Sequence, residues 1–481
     1  MKKITLIGLI ALVFFGCAGP GRKGAGALSQ TDAQVEQVLP ISGTFINLAY
    51  QDVRNKYTNP LDQDDTDPQV WSAKIAEMKA MGMEYLVFMA VANEGKAFYP
   101  SELMDLQYPS WRKSPVDAIM DAASAHGMKV FMSTGWAKDQ DDNLRDPKIK
   151  GRQLEMMEEL AGIYKEHPAF YGWYLPVEDC LGPVLTDYAV EAVNALTARA
   201  RELTPSARIL ISPYGIFNSD FEDPRYEQQI LRLNVDIIAY QDEVGCVREK
   251  YPLTRLRENW KKLRAIHDKS GIEMWANCES FTWERGTNDR TSALIPASFS
   301  RLLSQQAAAT VGGVDRIISF MMCGIYSHGQ PQWSSVAGKD YVSWLGGDPY
   351  WKSVENVWLG TYGQVATEDV SDERWQKYAP GTHEVVLELG ESAKLDKVIL
   401  RFLNCAKDGI VPPMKADLYG AAASGEWTYI TSLASPQFPN TLHDAFVDHL
   451  VYSGGVEVAR IKVVFSAEND VYMDRIIVDR N

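Results

Sequence analysis

From Gly43 to Met322 the chain repeats one alternation eight times, a short apolar run followed by an amphipathic stretch, and that rhythm leaves few folds open. The runs read as strands are Gly43–Tyr50, Tyr85–Val91, Lys129–Gly135, Phe170–Leu175, Arg208–Ser212, Asp236–Tyr240, Glu273–Asn277 and Arg316–Met322. Helices are expected between them. Pro68–Met81 carries Trp71, Ile75, Met78 and Met81 at helical spacing, and Ser114 before Pro115 is a start signal for a helix that Gly127 ends. Pro147–Glu166, Pro183–Leu203, Pro224–Asn234, Leu253–Ser270 and Pro296–Val311 complete the series. Strands joined through helices lie parallel, and eight such units in about 300 residues match a closed (β/α)8 barrel. A doubly wound open sheet is the runner-up, but it ordinarily brings a phosphate loop. Gly19, Gly21 and Gly24 spell G-x-G-x-x-G with no strand before them and no βαβ unit after, so they are not one.

The expected fold class is therefore α/β, a (β/α)8 TIM barrel over residues 41–348 followed by an antiparallel β-sandwich over 349–481. Past a connector at Pro349–Gly363 the helical spacing disappears. Glu384–Leu389, Lys397–Phe402, Lys415–Tyr419, Trp427–Leu433 and Ala459–Phe465 alternate apolar and polar residues, as strands with one covered face do. Residues 1–16 read as a signal peptide, because Lys2 and Lys3 precede the apolar run Ile4–Phe15, too short to span a bilayer. Residues 17–40 read as a flexible tether, rich at first in glycine, alanine and basic residues.

Charge and composition remove several function classes. The net charge is −15 and no long basic run occurs, so nucleic acid is not an expected partner. The six cysteines contain no C-x-x-C pair, and beyond Cys17 they are spaced like buried free thiols, with room for one incidental disulfide. Of seven histidines only His328 falls at a strand end, so neither a metal site nor a cofactor is expected. No G-x-S-x-G elbow is present to supply a hydrolase serine.

Carboxylates collect just past the strands. Phe170–Leu175 stops at Pro176 and delivers Glu178 and Asp179; the sixth strand ends at Tyr240 with Asp242 and Glu243 beyond; Glu279 follows the seventh. In a barrel these ends form the catalytic mouth, where strands four and seven face each other. Two carboxylates about 5 Å apart are what retaining glycoside hydrolysis requires, with one kept protonated by repulsion and partial burial. Trp136, Trp283 and Trp333 are candidate sugar-stacking rings, and Asp52, Tyr326 and His328 sit at other strand ends as candidate substrate contacts.

W-Y-L-P-V-E-D and W-A-N-C-E-S-F resemble the strand-four and strand-seven segments of TIM-barrel glycoside hydrolases. The resemblance implies that Glu178 is the general acid/base, Glu279 the nucleophile, and Tyr240 a hydrogen-bond partner of that nucleophile. Val177 stands where those enzymes place asparagine, so the bond to the sugar 2-hydroxyl is left to Asn277 or is absent. Within the superfamily the chain is most similar to an uncharacterised bacterial lipoprotein family of glycosidase-like barrels, domain of unknown function 4434. F-F-G-C resembles a lipobox with Cys17 as the lipidated residue, and V-V-L-E-L-G, A-D-L-Y-G, W-T-Y-I and R-I-K-V-V-F resemble a galactose-binding-like jelly roll. The expected protein is a retaining glycosidase of the bacterial cell envelope. It is held at the outer membrane by lipid alone and acts on an extracytoplasmic carbohydrate. The competing class is a non-catalytic glycan-binding lipoprotein.

Overall fold

Eight short parallel strands close on one another in the order β1-β8-β7-β6-β5-β4-β3-β2. They are β1 (Ile41–Ile46), β2 (Tyr85–Phe88), β3 (Lys129–Ser133), β4 (Phe170–Tyr174), β5 (Arg208–Ile211), β6 (Ile237–Gln241), β7 (Glu273–Glu279) and β8 (Arg316–Phe320). This is a computed structural model, and it describes residues 35–48, 67–138, 142–247, 253–285, 289, 292, 294–326, 332–435 and 445–480. The leader, Cys17, Asp52 and His328 lie outside the described residues, as does the side chain of Trp333.

Around the barrel run α1 (Pro68–Ala80), α2 (Pro115–Ala125), α3 (Pro147–Tyr164), α4 (Asp187–Leu203), α5 (Pro224–Arg232), α6 (Val244–Val247), α7 (Leu253–Ser270) and α8 (Phe299–Val311). Their starts follow local chemistry. Asp67, Ser114, Asp146 and Asp223 each accept a backbone N–H of the first turn, with proline just inside the helix. Two further helices follow, α9 (Gln332–Leu345) and α10 (Pro349–Leu359), and α10 occupies most of the stretch expected to be a connector. Asp348 caps Pro349, and Gly360 ends α10 in the left-handed conformation.

The interior of the barrel is aromatic. Tyr85 and Phe131 meet Trp275 from across it, at ring-centroid distances of 5.2 and 6.1 Å. A register shift where β3 meets β4 pairs Val130 with Phe170 but Phe131 with Gly172. That extra residue lets both Tyr171 and Tyr174 point inward, Tyr171 against Phe131 at 5.3 Å and Tyr174 against Phe45 at 5.2 Å. Trp173 turns outward instead, donating to Thr204 Oγ1 at the end of α4 at 2.8 Å.

The C-terminal strands are β9 (Gln376–Tyr378), β10 (Gly381–Asn404), β11 (Lys415–Ala421), β12 (Thr428–Ala434), β13 (Phe446–Ser453), β14 (Glu457–Ala467) and β15 (Val471–Arg480), all paired antiparallel. The expected strands Glu384–Leu389 and Lys397–Phe402 are one strand, β10, whose register breaks between Glu388 and Ala393. Its first part pairs with β14 and its second with β13 and β15, which gives the two layers of the sandwich. Their facing side chains, among them Leu400, Phe402, Leu418, Val463 and Phe465, form the core. Barrel and sandwich lie within one compact unit, Glu36–Asn481.

Gly172 is where β4 crowds β5 most closely, since a Cβ there would sit 2.1 Å from the carbonyl oxygen of Arg208. Gly172→Ala should therefore cost about 3 kcal/mol or more, the upper range for overpacking, read as a lowered urea midpoint. A variant as stable as wild type would contradict this packing.

Candidate active site

Glu178 leaves β4 after Pro176 and is partly exposed. Its carboxylate accepts a hydrogen bond from the hydroxyl of Tyr174, the last inward residue of the strand. Gln241 Nε2 lies 3.4 Å from Glu178 Oε1 and donates to Ser212 O at 2.9 Å. Burial and then the Glu178 charge push the Tyr174 phenol well above its usual range, so it stays a donor. Asp179 turns aside and accepts the N–H of Thr186 at 2.7 Å.

Glu279 is the last residue of β7 and only 3% exposed. Along β7 the inward residues are Trp275, then Asn277, then Glu279, because alternate side chains share a face. The one-turn helix α6 lies beside the carboxylate, and the Cys246 N–H donates to Glu279 Oε2 at 2.7 Å. Gly245 makes that approach feasible, since a Cβ there would stand 2.9 Å from the same oxygen and 2.6 Å from Phe281 O.

Asp242 ties these pieces together. Its Oδ1 accepts the N–H groups of Val244 (3.2 Å) and Glu279 (3.0 Å), and its Oδ2 accepts Gln305 Nε2 at 2.7 Å. Glu243 has a left-handed backbone, φ 54°, and its Oε2 accepts the Gly215 N–H at 2.6 Å. Arg301, fully buried on α8, donates to the carbonyls of Glu279 (2.9 Å) and Phe281 (2.7 Å).

Three buried carboxyl groups therefore lie close together, and the Arg301 guanidinium acts on two of them, Asp242 and Glu279. Burial first, then Asp242 and Glu243, push Glu279 up to about 8, while the Cys246 N–H and Arg301 oppose the rise. Burial likewise raises Glu243 to about 7 and raises Asp242. The expectation from the sequence is a rise from partial burial and from repulsion between Glu178 and Glu279. Burial is the largest cause, but the charges acting on Glu279 are Asp242 and Glu243, just past β6.

Other expected site residues fall elsewhere. Tyr240 is corrected: it points out of the barrel, its hydroxyl 2.9 Å from that of Tyr226 and 2.8 Å from His267 Nε2, so it does not support Glu279. Its neighbour Gln241 takes the inward position. Tyr326 is corrected as well, since it is fully buried and donates to Ala297 O at 2.7 Å. Trp136 is buried beside the β4 exit, its Nε1 3.4 Å from Pro176 O, and offers no open face to a sugar. Trp283 is partly exposed and packs edge-on against Phe281 at 5.9 Å. Asn277 Nδ2 donates to Ser212 Oγ at 3.1 Å, and its buried Oδ1 has no partner, which leaves an acceptor inside the mouth.

The sequence reading did not single out Tyr174, Gln241, Gly245, Arg301 or Gln305. Arg301 and Gln305 did leave a signal, since they stand four residues apart and so share one face of the helix. Among the described residues no cluster of three or more His, Cys, Asp or Glu side chains could hold a metal ion. Cys180, Cys246, Cys278, Cys323 and Cys405 are free thiols.

The raised carboxyls have a consequence for stability. Glu279 and Glu243 bind protons more tightly folded than unfolded, so their contribution is complete below about pH 4.5 and is lost as pH rises through 7 to 8. The melting temperature should fall between about pH 5 and about pH 9, by an amount on the order of several degrees. Glu279→Gln should flatten that fall; a pH-independent melting temperature would contradict the buried charge cluster.

The family model described as Domain of unknown function (DUF4434) matches residues 41–335. No curated protein matches the chain. Among solved structures, a Bacteroides thetaiotaomicron VPI-5482 protein described provisionally as an alpha-L-fucosidase is 18% identical, with 68% of this chain and 99% of that one covered at a TM-score of 0.53. A beta-galactosidase from the psychrophilic Marinomonas ef1 is 10% identical, with 64% and 59% covered at a TM-score of 0.42. The first of these shares the barrel fold. Because the family match spans more than half of the 481 residues, the chain belongs to the family described as Domain of unknown function (DUF4434).

Proposed function

We propose that the protein is a retaining glycoside hydrolase that acts on an extracytoplasmic glycan from a lipid-anchored position in the bacterial cell envelope. The observation that carries the reading is the delivery of Glu178 and Glu279 to the same barrel mouth by β4 and β7. Asn277 Oδ1, buried and without a hydrogen-bond partner, adds an acceptor near the same end of β7. The solved structure described provisionally as an alpha-L-fucosidase, which shares the barrel fold, is consistent with it.

In the first step Glu178 gives its proton to the glycosidic oxygen as the bond to the anomeric carbon breaks, and Glu279 attacks that carbon to form a glycosyl ester. In the second step Glu178 takes a proton from water, which displaces Glu279 and regenerates both groups. Glu279 must be ionised to attack. The positive charge that develops on the sugar ring favours that form in the transition state, where a buried carboxylate acts most strongly.

A second reading exchanges the two roles. It is favoured by the raised Glu279 carboxyl and by the donors, Tyr174 and Gln241, that suit an ionised Glu178. Leaving-group dependence separates them, since a good leaving group compensates only for loss of the proton donor. A donating Glu178 leaves Glu178→Ala active on aryl glycosides with good leaving groups and Glu279→Gln inactive, and exchanged roles reverse that pattern.

Glu279→Gln should lower kcat by about a thousandfold or more on a responsive glycan while leaving the fold intact. Glu178→Ala should slow hydrolysis by about 10²- to 10⁴-fold on poor leaving groups, and far less on aryl glycosides with good ones. Wild-type rates in Glu279→Gln would remove the assignment. Glycan binding with no turnover by the wild-type protein on any panel member would establish the binding-protein class instead.

A further inference from the structure

Helix α8, F-S-R-L-L-S-Q-Q-A-A-A-T-V, carries five polar side chains between Phe299 and Gln306, yet every side chain from Phe299 to Thr310 is buried. A helix on the outside of a barrel ordinarily turns such a polar stripe to water. Here the stripe is covered on two sides, and each side makes specific bonds.

Toward the barrel, Arg301 and Gln305 stand one turn apart and converge on the end of β7. Both donate to Glu279 O, at 2.9 and 3.1 Å, and Gln305 also holds Asp242 Oδ2 at 2.7 Å. Ser300 and Ser304 precede them by one position each, about 100° away around the helix, and face the C-terminal region. Ser300 Oγ donates to Val447 O on β13 at 3.0 Å. Ser304 Oγ lies within hydrogen-bond reach of Glu368 Oε1 (3.0 Å) and of Arg301 O in its own helix (2.6 Å). Phe299 adds an edge-on contact with Trp351 of α10 at 4.7 Å, and Tyr350 of α10 donates to His449 O on β13 at 2.9 Å.

Those contacts rest on a fixed base. The segment that carries Glu368 is held by Arg401 of β10, which is fully buried, pairs with Asp474 of β15 and donates to Ala366 O at 2.9 Å. Asp474 Oδ2 in turn accepts the Ala366 N–H at 2.9 Å. The guanidinium lies 5.0 Å from the ring centre of Trp358 and 5.8 Å from that of Trp375. A continuous path of hydrogen bonds thus leads from the sandwich core, through α8, to the backbone of Glu279.

We infer that the C-terminal sandwich is a brace for the candidate active site, holding α8 so that Arg301 and Gln305 act as positioning residues for Glu279. The functional part of this inference rests on Glu279 being a reacting carboxylate; the mechanical part does not.

The test uses the full-length chain and hydrogen exchange. The amides of Glu279 and Cys246, bonded to Asp242 and to Glu279, are the reporters. Ser300→Ala combined with Ser304→Ala removes the bonds to the sandwich and leaves Arg301 and Gln305 in place. Exchange at 244–247 and 279–281 should accelerate about fivefold or more, the effect of losing one buried hydrogen bond. Gln305→Ala should accelerate the same two peptides without altering β13. Tyr429→Ala, at an exposed position on β12, should alter neither. On a responsive glycan, the double variant should lose kcat with KM unchanged.

Wild-type exchange at 279–281 in the double variant would overturn the brace. Should the double variant fail to fold, Ser300→Ala alone, which removes the bond to Val447 O on β13, decides in the same way. Because exchange is read without substrate, an absence of glycosidase activity would defeat the proposed function and leave the brace standing.

Discussion

Inside a closed barrel only every second side chain of a strand reaches the interior, and that parity decides which residues meet at the mouth. The register shift at the start of β4 resets the parity there, so that Tyr174 faces inward and its hydroxyl meets Glu178. On β6 the same alternation turns Tyr240 out toward His267 and Gln241 in toward Glu178. On β7 it stacks Trp275, Asn277 and Glu279 up one inner face. The candidate site is the place where these three sequences of inward residues run out of strand.

Burial then sets the electrostatics. Asp242, Glu243 and Glu279 are brought together because their strand ends are adjacent, and Arg301 is the cation that acts on Asp242 and Glu279. All three carboxyls accept backbone N–H groups, Asp242 from Val244 and Glu279, Glu279 from Cys246, and Glu243 from Gly215. Such donors stabilise a carboxylate without neutralising it, so mutual repulsion and desolvation persist and Glu279 stays raised. A group tuned in this way is common where chemistry is done, and it also makes the local fold sensitive to pH.

The barrel and sandwich are often read as a catalytic part and an accessory part. Here α8 belongs to both, since one side grips β7 and the other grips β13 and the segment bearing Glu368. α10, in the stretch that looked like a linker, adds the aromatic packing of Trp351. The second domain is therefore part of the support of the first.

The strand–helix rhythm, the proline-led helix starts and the alternating C-terminal runs were legible in the sequence, because each follows from local periodicity and backbone chemistry. So was the delivery of Glu178 and Glu279 to strand ends. Parity was not legible: a single residue inserted against a neighbouring strand changes which face a side chain takes, and only the paired backbone reveals it. The same holds for Tyr326 and Trp136, whose burial is set by what packs over them. Nor could the sequence show that Arg301, Gln305 and Asp242 converge on Glu279. Arg301 and Gln305 come from α8, Asp242 from the end of β6 and Glu279 from β7, and their interaction exists only once the barrel has closed and the sandwich covers α8.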